Sequence, residues 1–150
     1  MSLRSAAGPT DARPPFRFSA FMRVGFDETD AQAVVYYGRY FPYFDRARVE
    51  YLRQLGLLDA LTGEHELVMR RAACEYDAPA RFDDPLEVFI RTSAIGRTSL
   101  RQDLAVGHAE DGRLLARAEQ TLVLIDARTR TPVPVPDHYR SAIAAFEERA

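Results

Sequence analysis

The segment from Asp27 to Tyr40 places four polar residues directly before an apolar and aromatic run. Three of the four are acidic, and water stabilises an ionised carboxyl group much better than a protein interior does. An acid held at such a border is restrained and partly dehydrated, which suits it to act as a base or a nucleophile. Asp and Thr also favour turns and helix N-caps for local hydrogen-bonding reasons. The residues alone leave a catalytic acid and a simple turn both open.

The apolar pattern on either side of this segment predicts the elements that hold it. Residues 16–26 are apolar at alternate positions, which is the period of a strand with one buried face. From about Tyr40 the apolar residues recur three or four positions apart, and the pattern stops at Gly56. This period predicts an amphipathic helix with a left-handed glycine stop, and charged residues such as Arg48 are expected on its other side. The acidic segment therefore lies between the first strand and one long helix.

Four further strands and a second helix are predicted after Gly56. Asp111 and Gly112 are typical of the turn of an antiparallel hairpin, and residues 138–148 suggest a short helix. A doubly wound fold would need a helix after each strand, so this order favours an α+β protein: an antiparallel sheet of about five strands wrapped around one long helix. An open sheet edge is commonly covered by a second copy, so we expect a homodimer or homotetramer. The four strands are predicted at 67–76, 86–92, 99–106 and 114–125.

Composition restricts the class of protein. With 150 residues, 47% of them hydrophobic and 28% charged, the chain is expected to form one soluble domain over 16–150, after a mobile leader over 1–15. A net charge of -2 with dispersed arginines does not support a nucleic-acid partner. No apolar run is long enough to cross a bilayer, so no membrane partner is expected. The lone Cys74 fits a reducing cytoplasm.

Several kinds of site have no support in the sequence. His65, His108 and His138 are scattered and lack the spacing of a helical zinc pair, so no metal is expected. There is no Gly-x-Ser-x-Gly elbow and no glycine-rich phosphate loop. No cofactor is therefore expected.

The order of the elements, with the acidic segment between the first strand and the helix, resembles the hotdog-fold acyl-CoA thioesterases of the 4-hydroxybenzoyl-CoA thioesterase family. One matching segment is 26–56, where an Asp/Thr-Asp motif precedes Val-Val-Tyr and Leu-Arg-Gln-Leu-Gly closes the helix. A second is 79–88, Pro-Ala-Arg-Phe-Asp-Asp-Pro-Leu-Glu-Val. The resemblance implies an enzyme that hydrolyses an acyl-CoA thioester to free acid and CoA, with its site at a subunit interface.

The resemblance also implies roles for individual residues. The last acid of the first motif is the catalytic carboxyl group in this family and corresponds to Asp30, acting as nucleophile or general base. A backbone N–H near the helix entrance polarises the thioester carbonyl, and the matching position is Tyr37. The resemblance also assigns some residues to binding of the CoA nucleotide. The alternative interpretation of these residues is a strand-end turn with solvated arginines. The substrate-binding candidates are Tyr36 and Tyr40, which with Tyr37 and Phe41 form either an aromatic acyl pocket or part of the core, and Arg97, Thr98, Ser99 and Arg130 at the nucleotide of CoA.

Two positions depart from the family pattern, and two other functions stay open. Many relatives have glycine where this chain has Ala33, which is expected to adopt ordinary backbone angles. Many have asparagine where this chain has Arg39, which is expected to pair with a neighbouring acid or to contact a CoA phosphate or a carboxylated acyl group. The other functions are a thioesterase for acyl-carrier protein, docked at Arg97 and Arg101, and a dimer that binds acyl-CoA without turnover.

Overall fold

The computed structural model describes residues 7–148, and its elements follow the order expected from the sequence. This part of the chain contains two α-helices, α1 (Tyr40–Leu55) and α2 (Asp137–Glu147). It also contains six strands. They are β1 (Ala7–Pro9), β2 (Phe18–Arg23), β3 (His65–Tyr76), β4 (Pro85–Ile95), β5 (Ser99–His108) and β6 (Leu114–Asp126).

The strands described in residues 7–148 form one antiparallel sheet in the order β1-β2-β4-β5-β6-β3. Helix α1 packs across one face of this sheet and contacts β1, β2 and β4. The prediction of an antiparallel sheet wrapped around one long helix is therefore confirmed. Strand β3 forms one edge of the sheet, and β1 forms the other.

Strand β1 is an addition to the roughly five strands expected. It falls within the segment expected to be a mobile leader, yet Ala7 pairs with Ala20 and Pro9 pairs with Phe18. Three residues are too few to show a period of two, so the apolar pattern carries no signal for this strand. Residues 1–6 of the expected leader lie outside the described residues.

The first long strand is shorter than predicted. Phe18 and Met22 are buried, as the alternation predicts, but β2 ends at Arg23. Phe26, expected on the buried face, is 78% exposed and begins a 3-10 turn. The pairing explains the difference, because Arg23 lies opposite Pro85, the first residue of β4, and no strand continues beside it.

Helix α1 forms because its apolar residues share one side. It ends before Gly56, whose φ of 73° confirms the predicted left-handed stop. Its fully buried side chains are Tyr43, Phe44, Ala47, Tyr51 and Leu52.

The expectation that Arg48 lies on the solvent side of α1 is wrong. Its side chain is 4% exposed and lies one helical turn after the buried Phe44. The guanidinium group donates to Gln102 Oε1 at 2.8 Å, to Asp45 Oδ1 at 2.9 Å and to Gln120 Oε1. Three acceptors offset the cost of removing this charge from water, so a position that continues the apolar face holds a paired cation instead.

Helix α2 closes one side of the core. Its buried residues Tyr139, Ile143 and Phe146 face inwards, and the ring of Phe146 lies 6.0 Å from that of Tyr51 on α1. The Tyr51 hydroxyl also donates to Glu147 of α2 at 2.5 Å. Along residues 7–148, neither helix has the length and apolar character needed to cross a membrane.

Candidate active site

Asp30 lies in a tight loop between β2 and α1. Its N–H donates to the carbonyl of Val34 at 2.9 Å, and its own carbonyl accepts the N–H of Ala33 at 2.9 Å. Its side-chain Oδ1 accepts the N–H of Gln32 at 2.8 Å. One carboxyl oxygen therefore orients the side chain in the manner of an Asx turn, and Oδ2 accepts no hydrogen bond from residues 7–148.

Ala33 does not have the ordinary backbone angles expected of it. Its φ is 62°, in the left-handed region that glycine adopts easily and alanine does not. The closed hydrogen-bonding pattern of the loop requires this conformation, because the chain must reverse within the five residues 30–34. Position 33 therefore has the left-handed backbone conformation suited to glycine, although its residue is alanine.

A 3-10 turn, Tyr37–Arg39, leads directly into α1. Tyr36 before it is extended, so the N–H of Tyr37 is the first donor of the turn. Such leading N–H groups have no acceptor within the helix and carry its positive end. In the described range this N–H has no backbone acceptor, while the Tyr37 carbonyl accepts the hydroxyl of Tyr76 at 3.0 Å. The turn thus offers a fixed donor of the kind that stabilises an oxyanion.

Asp30 and Tyr37 line the same cavity of about 330 Å³. We call it the helix-entrance cavity, because it lies between the Asp30 loop, the start of α1 and the end of β3. Its wall combines two carboxyl groups and an amide with aromatic and aliphatic side chains. The lining residues are Asp30, Gln32, Val34, Val35, Tyr37, Tyr40, Tyr76, Asp77, Ala78 and Pro79.

Aromatic rings form one side of this cavity. The ring of Tyr76 lies 5.3 Å from that of Tyr40 and 6.4 Å from that of Tyr37, in edge-on contacts. Burial raises the pKa of Tyr40, and burial together with Cys74 raises the pKa of Tyr76 to about 12. Both hydroxyls therefore stay protonated at neutral pH and act as hydrogen-bond donors rather than as bases.

Asp77 is a second carboxyl group in the cavity wall, and the sequence analysis did not single it out. Arg117 binds it in a fork, with Nε 3.1 Å from Oδ2 and Nη2 3.0 Å from Oδ1. This hydrogen bonding lowers the pKa of Asp77. The partner lies 40 residues away on β6, so no local pattern around Asp77 could have indicated the pair.

Two other candidates near the helix entrance differ from expectation. The side chain of Tyr36 is 44% exposed and stacks on Tyr37 with ring centroids 4.4 Å apart, beside the cavity rather than in its wall. Arg39 is exposed and has no ion-pair partner among residues 7–148, so the expected pairing with a neighbouring acid is wrong. Of the four aromatic residues predicted for the acyl pocket, Tyr37 and Tyr40 line the cavity, whereas Tyr36 and Phe41 do not.

The candidates for nucleotide binding lie at the other end of the sheet within one chain. Arg97, Thr98 and Ser99 lie at the turn between β4 and β5, whereas the Asp30 loop lies near the first residue of β4. Strand β4 has 11 residues, so the two ends are about 35 Å apart along it. Arg130 follows β6 at the same far end and binds Glu66 at 2.7 Å. One chain does not bring these residues to Asp30.

A larger cavity of about 430 Å³ lies on the sheet face that points away from α1. Most of its charged residues are paired with one another, as in Arg101 with Glu119 and Arg117 with Glu75, and Arg13 donates to the carbonyl of Gly112. It lacks the combination of an available carboxyl oxygen and a helix N-terminus, so the smaller helix-entrance cavity is the candidate active site. In the described part of the chain, no group of three or more His, Cys, Asp or Glu side chains is placed to hold a metal ion.

Comparison with known proteins gives consistent matches over most of the chain. Residues 24–143 match the family model of the thioesterase-like superfamily. The chain is 36% identical over 129 residues to the acyl-CoA thioester hydrolase YbgC of Escherichia coli, covering 85% of this chain and 93% of that protein. It is 27% identical over 133 residues to the 1,4-dihydroxy-2-naphthoyl-CoA hydrolase of Synechocystis, covering 87% and 96%.

Solved structures repeat the fold. The crystal structure of a 1,4-dihydroxy-2-naphthoyl-CoA thioesterase from Synechocystis matches with a TM-score of 0.77 and 25% identity, over 86% of this chain and 96% of that chain. A thioesterase-superfamily structure from Jannaschia matches with a TM-score of 0.86 at 20% identity, over 96% and 95%. The second likeness concerns the fold alone.

Proposed function

Because this chain belongs to the thioesterase-like superfamily, we propose that it hydrolyses acyl-CoA thioesters to a free acid and CoA. The fold is the hotdog fold that the sequence resemblance implied. The observation that carries the proposal is that Asp30 and the start of α1 face one cavity. A carboxyl group and the leading N–H of a helical turn, carried by two residues that line one cavity, supply the two functions that acyl transfer from a thioester requires.

The proposed chemistry uses Asp30 and the N–H of Tyr37. Oδ2 of Asp30 either attacks the thioester carbonyl carbon or removes a proton from a water molecule that attacks it. The first route gives a mixed anhydride and releases the CoA thiolate, and water then cleaves the anhydride. In both routes the carbonyl oxygen gains negative charge, and the N–H of Tyr37 at the positive end of α1 stabilises it. The sum is thioester plus water giving acid plus thiol.

The working form in this proposal is a homo-oligomer joined through β3. This strand is a sheet edge and is exposed over most of its second half, so its unpaired backbone groups can bind a second copy. In a two-fold antiparallel pairing, the His65 end of one β3 lies beside the Tyr76 end of the other. Arg130, bound to Glu66 near the His65 end, then approaches the helix-entrance cavity of the second copy. A cytoplasmic location belongs to the same proposal and is supported by the lone Cys74.

The test is release of free thiol from a panel of aromatic and aliphatic acyl-CoAs. We expect the native chain to turn over at least one of them, and Asp30→Asn to lose about 10²–10⁴-fold in kcat. Asp27→Asn is the matched control, because Asp27 belongs to the same acidic segment but does not line the cavity. Equal activity of the native chain and Asp30→Asn would contradict the assigned role of Asp30.

The same panel separates the other two functions. Turnover of acyl-carrier protein in strong preference to the matching acyl-CoA would assign the carrier as the substrate. Saturable acyl-CoA binding in calorimetry, with no acid released over hours, would assign a binding protein. Loss of activity on dilution to monomers is expected, and a fully active monomer would refute the shared site.

A further inference from the structure

Glu28 is a buried acid that the proposed chemistry does not use. It is 7% exposed, although the preceding residue, Asp27, is exposed and the following residue, Thr29, is half-buried. Its Oε1 accepts two hydrogen bonds, one from the hydroxyl of Tyr43 at 2.9 Å and one from the N–H of Gly25 at 2.5 Å. An acid is rarely buried unless it is paired, and here both partners are neutral donors. The carboxyl group of Glu28 therefore connects Tyr43 on α1 to the backbone at Gly25.

The contacts of Glu28 join the two parts of the candidate active site. Its side chain binds Tyr43, which lies in the first turn of α1 and is fully buried. Its backbone carbonyl accepts the N–H of Tyr36, the residue directly before the donor Tyr37. Asp30 lies two residues after Glu28 along the chain. A single residue thus binds the helix, the segment that carries the oxyanion donor and the loop that carries the acid.

The surroundings of Glu28 favour this one arrangement. A Cβ at Gly25 would lie 3.1 Å from Oε1 of Glu28 and 2.9 Å from Oδ1 of Asp27, so glycine permits the close approach of the carboxyl group. Burial, followed by the hydrogen bond to Glu28, raises the pKa of Tyr43 far above its ordinary value. The hydroxyl of Tyr43 therefore stays protonated at neutral pH and remains a hydrogen-bond donor.

We propose that Glu28 and Tyr43 form a positioning pair that fixes the separation between Asp30 and the N–H of Tyr37. The proposal rests on the proposed thioesterase function. Neither side chain lines the helix-entrance cavity, so neither touches substrate. Both act through geometry, and misplacement of a reacting group by about 1 Å can cost on the order of 100-fold in rate.

The kinetic test is the substitution Tyr43→Phe, which removes only the hydroxyl. We expect kcat to fall about tenfold with KM unchanged, because the cavity wall stays intact while the acid and the donor lose their fixed separation. Tyr51→Phe is the matched control: Tyr51 is also a fully buried tyrosine of α1 with a bonded hydroxyl, but it binds Thr92 and Glu147, away from the cavity. Both substitutions are expected to lower Tm by a similar few degrees, and Tyr51→Phe is expected to keep its kcat.

Rescue by a conservative variant of Glu28 distinguishes a role in the positioning pair from a general packing role. Glu28→Gln keeps an acceptor oxygen for both donors and is expected to retain kcat within about twofold, whereas Glu28→Ala is expected to lose on the order of 100-fold. Equal loss of kcat in Tyr43→Phe and Tyr51→Phe, or loss in neither, would overturn the proposal.

Amide hydrogen exchange tests the pair without any turnover. Tyr43→Phe is expected to speed exchange at the N–H groups of Asp30, Ala33 and Tyr36, and Tyr51→Phe is expected to leave them unchanged. If the native chain proves inactive on every thioester, the proposed function fails, but hydrogen exchange still tests whether the positioning pair holds the loop. Unchanged exchange in the loop of Tyr43→Phe would refute the positioning pair.

Discussion

Replacement of Ala33 by glycine is expected to stabilise the protein, although the same change usually destabilises. Ala33 has a φ of 62°, where a side chain with Cβ costs about 1–2 kcal/mol relative to the right-handed region. Ala33 is exposed, so loss of its methyl group removes little buried area. Opposing this gain, glycine makes the unfolded chain more flexible, at a cost of about 0.4–1 kcal/mol. The balance is a gain of about 0.5–1 kcal/mol in the free energy of unfolding.

The assay is thermal and urea unfolding of the native chain and two glycine variants. Ala33→Gly is expected to raise Tm by about 1–4 °C. Ala145→Gly is the matched control, because Ala145 is an exposed alanine inside α2, where glycine costs about 1 kcal/mol and lowers Tm. If Ala33→Gly destabilises as much as Ala145→Gly does, the loop does not hold Ala33 in the left-handed region and the reasoning is refuted.

Four further substitutions test three separate sets of contacts. Arg48→Met is expected to cost about 3 kcal/mol in urea unfolding, because it leaves buried glutamine oxygens without donors, and a cost below about 1 kcal/mol would contradict the buried pairing. Arg117→Gln is expected to raise the pKa of Asp77, measured by NMR titration, because the ion pair lowers that pKa in the folded state. The stabilisation by the ion pair is present above the ordinary aspartate pKa and is lost as pH falls through the folded value. The native chain and the variant should therefore converge in stability at acid pH. Arg97→Ala and Arg130→Ala are each expected to raise KM for acyl-CoA about tenfold while leaving turnover of the matching acyl-pantetheine unchanged, and an equal effect on both substrates would exclude nucleotide contacts.

The long elements were predictable because their signals are local and repeated. The period of α1 and the stop at Gly56 depend on residues within one or two helical turns, and both are found. The Asp111-Gly112 turn joins β5 and β6 as expected, with Gly112 at a φ of 73°. Asp30 became a candidate catalytic residue only through the resemblance, since its residue type is also typical of a turn.

The unpredicted features depend on pairing across the fold. The end of β2 is determined by where β4 begins, so Phe26 continues the alternation without a strand to belong to. The burial of Arg48 depends on Gln102 and Gln120, which are 54 and 72 positions away in the sequence. The pairing of Asp77 depends on Arg117 of β6. The left-handed Ala33 follows from loop closure rather than from its residue type. Contacts between residues far apart in the sequence leave no signal in the local spacing of apolar residues.

The distance of about 35 Å along β4 between the Asp30 end and the Arg130 end has a genetic consequence. If the two ends meet only across two copies, a chain defective in Asp30 and a chain defective in Arg130 can complement each other. In a mixed dimer, one of the two cavities receives an intact acid from one copy and an intact arginine from the other. Random mixing of a chain that lacks Asp30 with a chain that lacks Arg130 would then leave about a quarter of all cavities intact, and these cavities would have the native KM for acyl-CoA. A cell carrying both alleles would have a phenotype that neither allele has alone.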